Sequence, residues 1–114
     1  MPFTEAMQEY GRPIAYYPNL ARAIGSIKAA VFLSQLIYWT QRSIKDGWIC
    51  KSAKDIEAET GLSKKEQRTA RACLRGLGML TEQVKNLPPT VHYRLNTAKV
   101  NAAFVSSLTG STRN

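Results

Sequence analysis

The sequence is poor in the groups that carry out chemistry. It holds one histidine, His92, and two cysteines, Cys50 and Cys73, which lie 23 residues apart. A structural zinc site takes its Cys and His ligands in closely spaced pairs, so these residues do not make one. Both cysteines fall in apolar stretches and read as buried free thiols, which belong to a reducing compartment. There is no nucleophile motif and no glycine-rich phosphate loop. Asp55, Glu57 and Glu59 lie close together but read as the solvated face of a helix rather than a metal site. Neither enzyme chemistry nor a cofactor is expected. Long hydrophobic runs are missing as well. The most apolar stretch, residues 29–39, is interrupted by Ser34 and Gln35, and is far shorter than the roughly 20 residues of a membrane span. Residues 1–10 carry Glu5 and Glu9 and lack the apolar run of a secretory leader. No membrane association is expected, and the cytoplasm is the expected location.

Acid is scarce too. Sixteen Lys and Arg stand against eight Asp and Glu, a net charge of +8 on 114 residues with an isoelectric point near 9.8. That length suits one domain with a modest core, and 44% hydrophobic residues suit a folded chain. A small domain this basic points to a polyanion, of which nucleic acid is the commonest.

The chain divides by its pattern into an N-terminal arm over residues 1–13, a domain over 14–108 and a polar tail over 109–114. Residues 14–17 read as a short strand, and residues 19–24 as one or two helical turns stopped by Gly25. Ser26 is a good N-cap for a long helix that ends before Asp46. Its apolar positions spread beyond one stripe, so it is buried on most sides or supports a dimer contact. A short strand follows at residues 48–50. Ser52 with Asp55 approximates a capping box for a helix over 53–60 that buries Ile56 and Ala53, and Gly61 stops it. Ser63 with Glu66 completes a second box for a helix over residues 64–77, with Gln67, Ala70, Leu74 and Leu77 as its inner side and Gly78 as its stop. Residues 79–84 and 91–95 alternate as two strands of a hairpin with a proline-bearing tip. Asn96 or Thr97 caps a last helix through Leu108.

Two helices joined by a short glycine turn, then a hairpin, are the order of a winged helix-turn-helix, a mainly α fold with a small β-hairpin. The second helix of the pair carries the functional signal. Lys64, Arg68, Arg71 and Arg75 recur at spacings of 4, 3 and 4 and form one basic stripe, with Lys65 and Thr69 further round. Five like charges on one helix repel each other, so folding stability does not explain them and a polyanion does. Ser63, Lys64, Lys65, Arg68 and Thr69 lie where recognition helices meet base edges, and Arg68 is the candidate for bidentate guanine reading. Arg71 and Arg75, further along, are expected on phosphates. Lys51, Ser52 and Lys54 open the bracing helix, where a phosphate is well held. Lys85 and Asn86 sit at the wing and are expected to reach a minor groove. Tyr16, Tyr17, Tyr38, Trp39, Trp48 and Tyr93 are read as core residues before stacking platforms for single-stranded bases, with Tyr17 and Trp48 the ones to test.

The runs Leu33-Ser34-Gln35-Leu36 with Tyr38-Trp39, Gly47-Trp48, Thr60-Gly61-Leu62-Ser63 with Gln67, Ala70-Arg71 and Leu74, Leu77-Gly78-Met79-Leu80, and Tyr93-Arg94-Leu95-Asn96 share a further quality. Together, over about residues 12–98, they resemble the N-terminal winged-helix domain of phage and plasmid replication initiators of the replisome-organiser type. The resemblance implies binding of an origin or operator through residues 63–75, often as a dimer, beside other replication proteins. Such initiators continue into a helicase-recruiting domain, and nothing of that size follows Leu108, so the chain reads as a truncated initiator or a stand-alone accessory DNA binder. Duplex DNA is the first expected partner and single-stranded DNA, with a polymerase or helicase, the second. A winged-helix protein adaptor or transcription regulator is the remaining alternative.

Overall fold

The computed structural model describes residues 16–42, 47–85 and 90–111. Over these the chain is mainly helical, with five helices and a three-stranded antiparallel sheet. The expected arm over residues 1–13 lies outside the described residues.

Helix α1 spans Pro18–Ile24. Pro18, which has no N–H to leave unsatisfied, sits in its first turn. Tyr17 is its extended N-cap, so Tyr16 and Tyr17 are not strand residues as expected; Ile14 and Ala15 lie outside the described residues. Helix α2 spans Ile27–Arg42 and begins where expected, with the Ala29 N–H donating to Ser26 Oγ at 3.1 Å. It is the central post of the fold: Ala29, Ala30, Phe32, Leu33, Ser34 and Leu36 are all buried in it. Helices α1, α3 and α4 and the sheet pack around it.

Strand β1 is Ile49–Cys50, helix α3 is Ala53–Thr60, helix α4 is Lys64–Gly76, strands β2 and β3 are Leu80–Lys85 and Thr90–Leu95, and helix α5 is Thr97–Ser111. The sheet order is β1-β3-β2. Leu80 pairs with Leu95, Glu82 with Tyr93 and Ile49 with Tyr93. Strand alternation therefore points Ile49, Tyr93, Leu80 and Leu95 into the core. The Tyr93 ring meets Phe32 of α2 edge-on, with 5.8 Å between centroids. Because Ile49 faces inward, its neighbour Cys50 must face outward, and it is exposed rather than a buried thiol; Cys73 is half-buried.

Three further expectations change. Leu77, the C-cap of α4, keeps helical backbone angles and donates to the Cys73 carbonyl at 3.2 Å, yet it is 42% exposed rather than part of the inner side. The Gly78 and Met79 N–H groups turn back onto the Arg75 and Leu74 carbonyls at 2.9 and 3.0 Å, and Gly78 has a φ of +74°. Helix α5 runs into the expected tail over residues 109–114, taking in 109–111, while 112–114 lie outside the described residues. Tyr16, Tyr17 and Tyr38 are exposed, while Tyr93 is in the core. Asn96 caps α5, its Oδ1 accepting from Lys99 N–H at 3.2 Å, and its own N–H closes the hairpin base on the Met79 carbonyl at 2.8 Å.

Candidate nucleic-acid interface

The α3-turn-α4 unit is built by local hydrogen bonding. Ser52 Oγ accepts from the Asp55 N–H at 3.0 Å, one half of the box that the spacing suggests. Gly61, with φ +78°, ends α3 by donating to the Glu57 carbonyl at 2.8 Å. Thr60 Oγ1 donates to the Ile56 carbonyl and accepts from Leu62 N–H, at 2.7 and 3.1 Å, which tightens the turn. Leu62 is buried, and Ser63 and Glu66 form the complete capping box at 2.9 and 3.1 Å. Gln67 then fastens the two helices. Its side chain is buried, and its Nε2 donates to the carbonyls of Ala53, at the start of α3, and of Leu62, in the turn, both at 2.9 Å. A polar residue inside an apolar stripe must find such partners, because an unpaired buried amide is costly. That requirement was the available signal for Gln67, which its position alone had marked only as inward-facing.

The inner face of α4 is Gln67, Ala70 and Leu74. Opposite them Lys64, Lys65, Arg68 and Thr69 are exposed. Among the described residues, Lys64, Lys65 and Arg68 have no ion-pair partner. Thr69 Oγ1 donates to the Lys65 carbonyl at 3.2 Å. Ser63 is occupied as the N-cap.

The two flanks of α4 are tied to the body by carboxylates. On one flank, Glu66 pairs with Lys28 of α2 at 2.7 Å. The Lys28 contact, together with the backbone hydrogen bond at Ser63, holds the Glu66 carboxyl well below the usual range, at about 2. On the other flank, Glu82 of β2 takes Arg75 Nη1 on its Oε2 at 2.6 Å, and Arg71 Nε lies 3.9 Å from the same oxygen. Arg71 Nη1 also donates to Tyr93 Oη at 3.1 Å. The arginines expected on phosphates are thus engaged within the fold. Glu82 occupies an inward-facing strand position between Leu80 and Val84, and an acid at such a position was the sequence signal for it.

The start of the bracing helix is also partly committed. Lys51, expected on a phosphate, lies 2.6 Å from Glu59 and 3.5 Å from the centroid of the Trp39 ring. Glu59 also accepts from Gln35 Nε2 and Trp39 Nε1, each at 2.8 Å. It is therefore a junction between α2 and α3 rather than part of a solvated face. Burial raises its pKa, and the bonds from Lys51, Trp39 and Gln35 more than offset that, leaving it below the ordinary value. The Trp39 ring, with Lys51 on its face, and Tyr38, with Arg42 3.7 Å from its centroid, carry cations rather than open stacking surfaces. Lys54 is exposed and, among the described residues, unpaired. Lys85 ends β2, and Asn86 lies outside the described residues.

The chain matches no protein-family model, no curated protein and no solved structure. Among the described residues, no group of His, Cys, Asp and Glu could hold a metal ion, and no helix is long and apolar enough to cross a membrane.

Proposed function

We propose that this protein is a winged helix-turn-helix DNA-binding protein that engages duplex DNA through the outer face of α4, without enzymatic activity. The observation that carries this reading is the exposed group Lys64, Lys65 and Arg68, unpaired among the described residues, on a helix whose start is capped by Ser63 and clamped by Gln67. Cations presented at the N-terminal half of a rigidly braced helix suit a major groove, where a side chain reads base edges while its neighbours meet phosphates. The β2-β3 hairpin directly after the helix pair, with β1 from before the pair added at its β3 edge, supports the winged form. The resemblance to replication initiators suggests a cytoplasmic role in replication or transcription control of a phage or plasmid. Homodimers and contact with other replication proteins go with that role.

The test is selection of bound fragments from random duplex and single-stranded pools, followed by titration of the selected DNA. Duplex is expected to win, and Arg68→Ala is expected to lose about 1–3 kcal/mol of discrimination at one base position. Equal binding of parent and variant would sink the assignment to α4. Capture of oligo-dT in preference to duplex would move the reading to single-strand binding.

A further inference from the structure

The five cations of α4 do not share one environment. Lys64, Lys65 and Arg68 have no carboxylate partner among the described residues, and Glu66 turns away from them to Lys28. Arg71 and Arg75 converge on one oxygen of Glu82. That carboxylate is well sheltered, with 18% of its side chain exposed, as is Arg71 with 22%, whereas Arg75 keeps 45%. An arginine fork takes a carboxylate and a phosphate by the same geometry, so one ligand is gained at the expense of the other.

We infer that Glu82 is a specificity-determining residue whose carboxylate stands in for a DNA phosphate, withholding Arg75 and Arg71 from the backbone and limiting sequence-independent binding. This rests on the DNA-binding reading above. Non-specific affinity scales with the number of phosphates a protein neutralises, while base-edge contacts do not. Taking two arginines out of the phosphate count lowers the first and leaves the second with Arg68 and its neighbours. Arg71 is hydrogen-bonded to Tyr93 Oη, and its Nε stands 3.9 Å from Glu82 without a hydrogen bond, whereas Arg75 is bonded to Glu82 directly, so Arg75 is the guanidinium that a missing carboxylate releases first.

The experiment compares the native chain, Glu82→Gln, Arg75→Ala and the double variant on a random-sequence duplex across about 50 to 200 mM salt. Glu82→Gln is expected to bind about eightfold tighter near 0.1 M salt for each phosphate gained, with a salt slope steeper by about 0.9. Arg75→Ala is expected to change the native chain by less than about twofold, and to abolish the gain in the Glu82→Gln background. If Glu82→Gln binds as the native chain does, or more weakly, the inference falls and the DNA-binding reading stands. If neither protein binds, both fall. Circular dichroism checks the fold. Should Glu82→Gln not fold, Arg75→Ala alone decides: a loss as large as that of Lys65→Ala overturns the inference, and an unchanged affinity upholds it.

Discussion

Arg68 and Arg75 stand about two turns apart on α4, and their surroundings differ in kind. Around Arg68 the described residues offer no carboxylate, whereas Arg75 is bonded to Glu82 across a 2.6 Å contact. The same side chain on the same helix is a free probe at one end and a fastening at the other. A basic stripe read along a helix therefore overstates the charge available to a partner, and the partners of each cation decide how much remains.

The sharpest way to break this contrast is to loosen the helix itself. Leu74 is fully buried, and Leu74→Ala should cost about 2–5 kcal/mol of folding stability in a denaturant titration. DNA binding should then fall only in proportion to the unfolded fraction. Gln67→Leu keeps the bulk but removes both donors, leaving the Ala53 and Leu62 carbonyls without them, and should cost about 1–3 kcal/mol. In contrast with Leu74→Ala, it should also weaken DNA binding in the molecules that stay folded, because the angle between α3 and α4 is no longer pinned. Arg68→Ala should leave the thermal midpoint unchanged while losing base discrimination. A variant that melts earlier would place Arg68 among the fastenings.

Acid gives a milder test. Glu66 and Glu59 both titrate below their ordinary value in the folded chain. Their contribution is fully present above the unfolded value near 4.5 and is lost as pH falls towards about 2 for Glu66. Helical circular dichroism should weaken across that window, and Glu66→Gln should make the decline shallower. An acid profile identical to that of the parent would mean that the Lys28 contact adds nothing to folding.

Much of this architecture is legible in the residues. Ser63 and Glu66 announce the start of α4, Gly61 and Gly78 announce two helix ends, and the alternation around Tyr93 announces its strand. These signals are local, since each depends on residues within a turn or on a period of two. The parts that were not legible are encounters between distant elements. Glu59 reaches Gln35 and Trp39 across 24 and 20 residues, and Arg71 meets Tyr93 across 22. No local spacing encodes those meetings, which is why Arg71 reads as a free cation; Lys51 and Arg75 meet Glu59 and Glu82 only 8 and 7 residues away, but across a change of element that neither a helical nor a strand period spans. Leu77 differs in another way: its helical period places it on the inner side, but it is the last helical residue before the turn at Gly78 and stays exposed.

The Gln67 clamp has a consequence for how the molecule can change. The groups that seat α4 are Glu66, Gln67, Ala70, Arg71, Cys73, Leu74 and Arg75. Lys64, Lys65, Arg68, Thr69 and Ala72 are exposed and take no part in that seating through their side chains, apart from the bond of Thr69 to its own helix. The helix is thus a socket with replaceable teeth. A library randomised at those positions should yield variants that fold alike and prefer different sequences, so new recognition could be reached by single substitutions without crossing an unfolded intermediate.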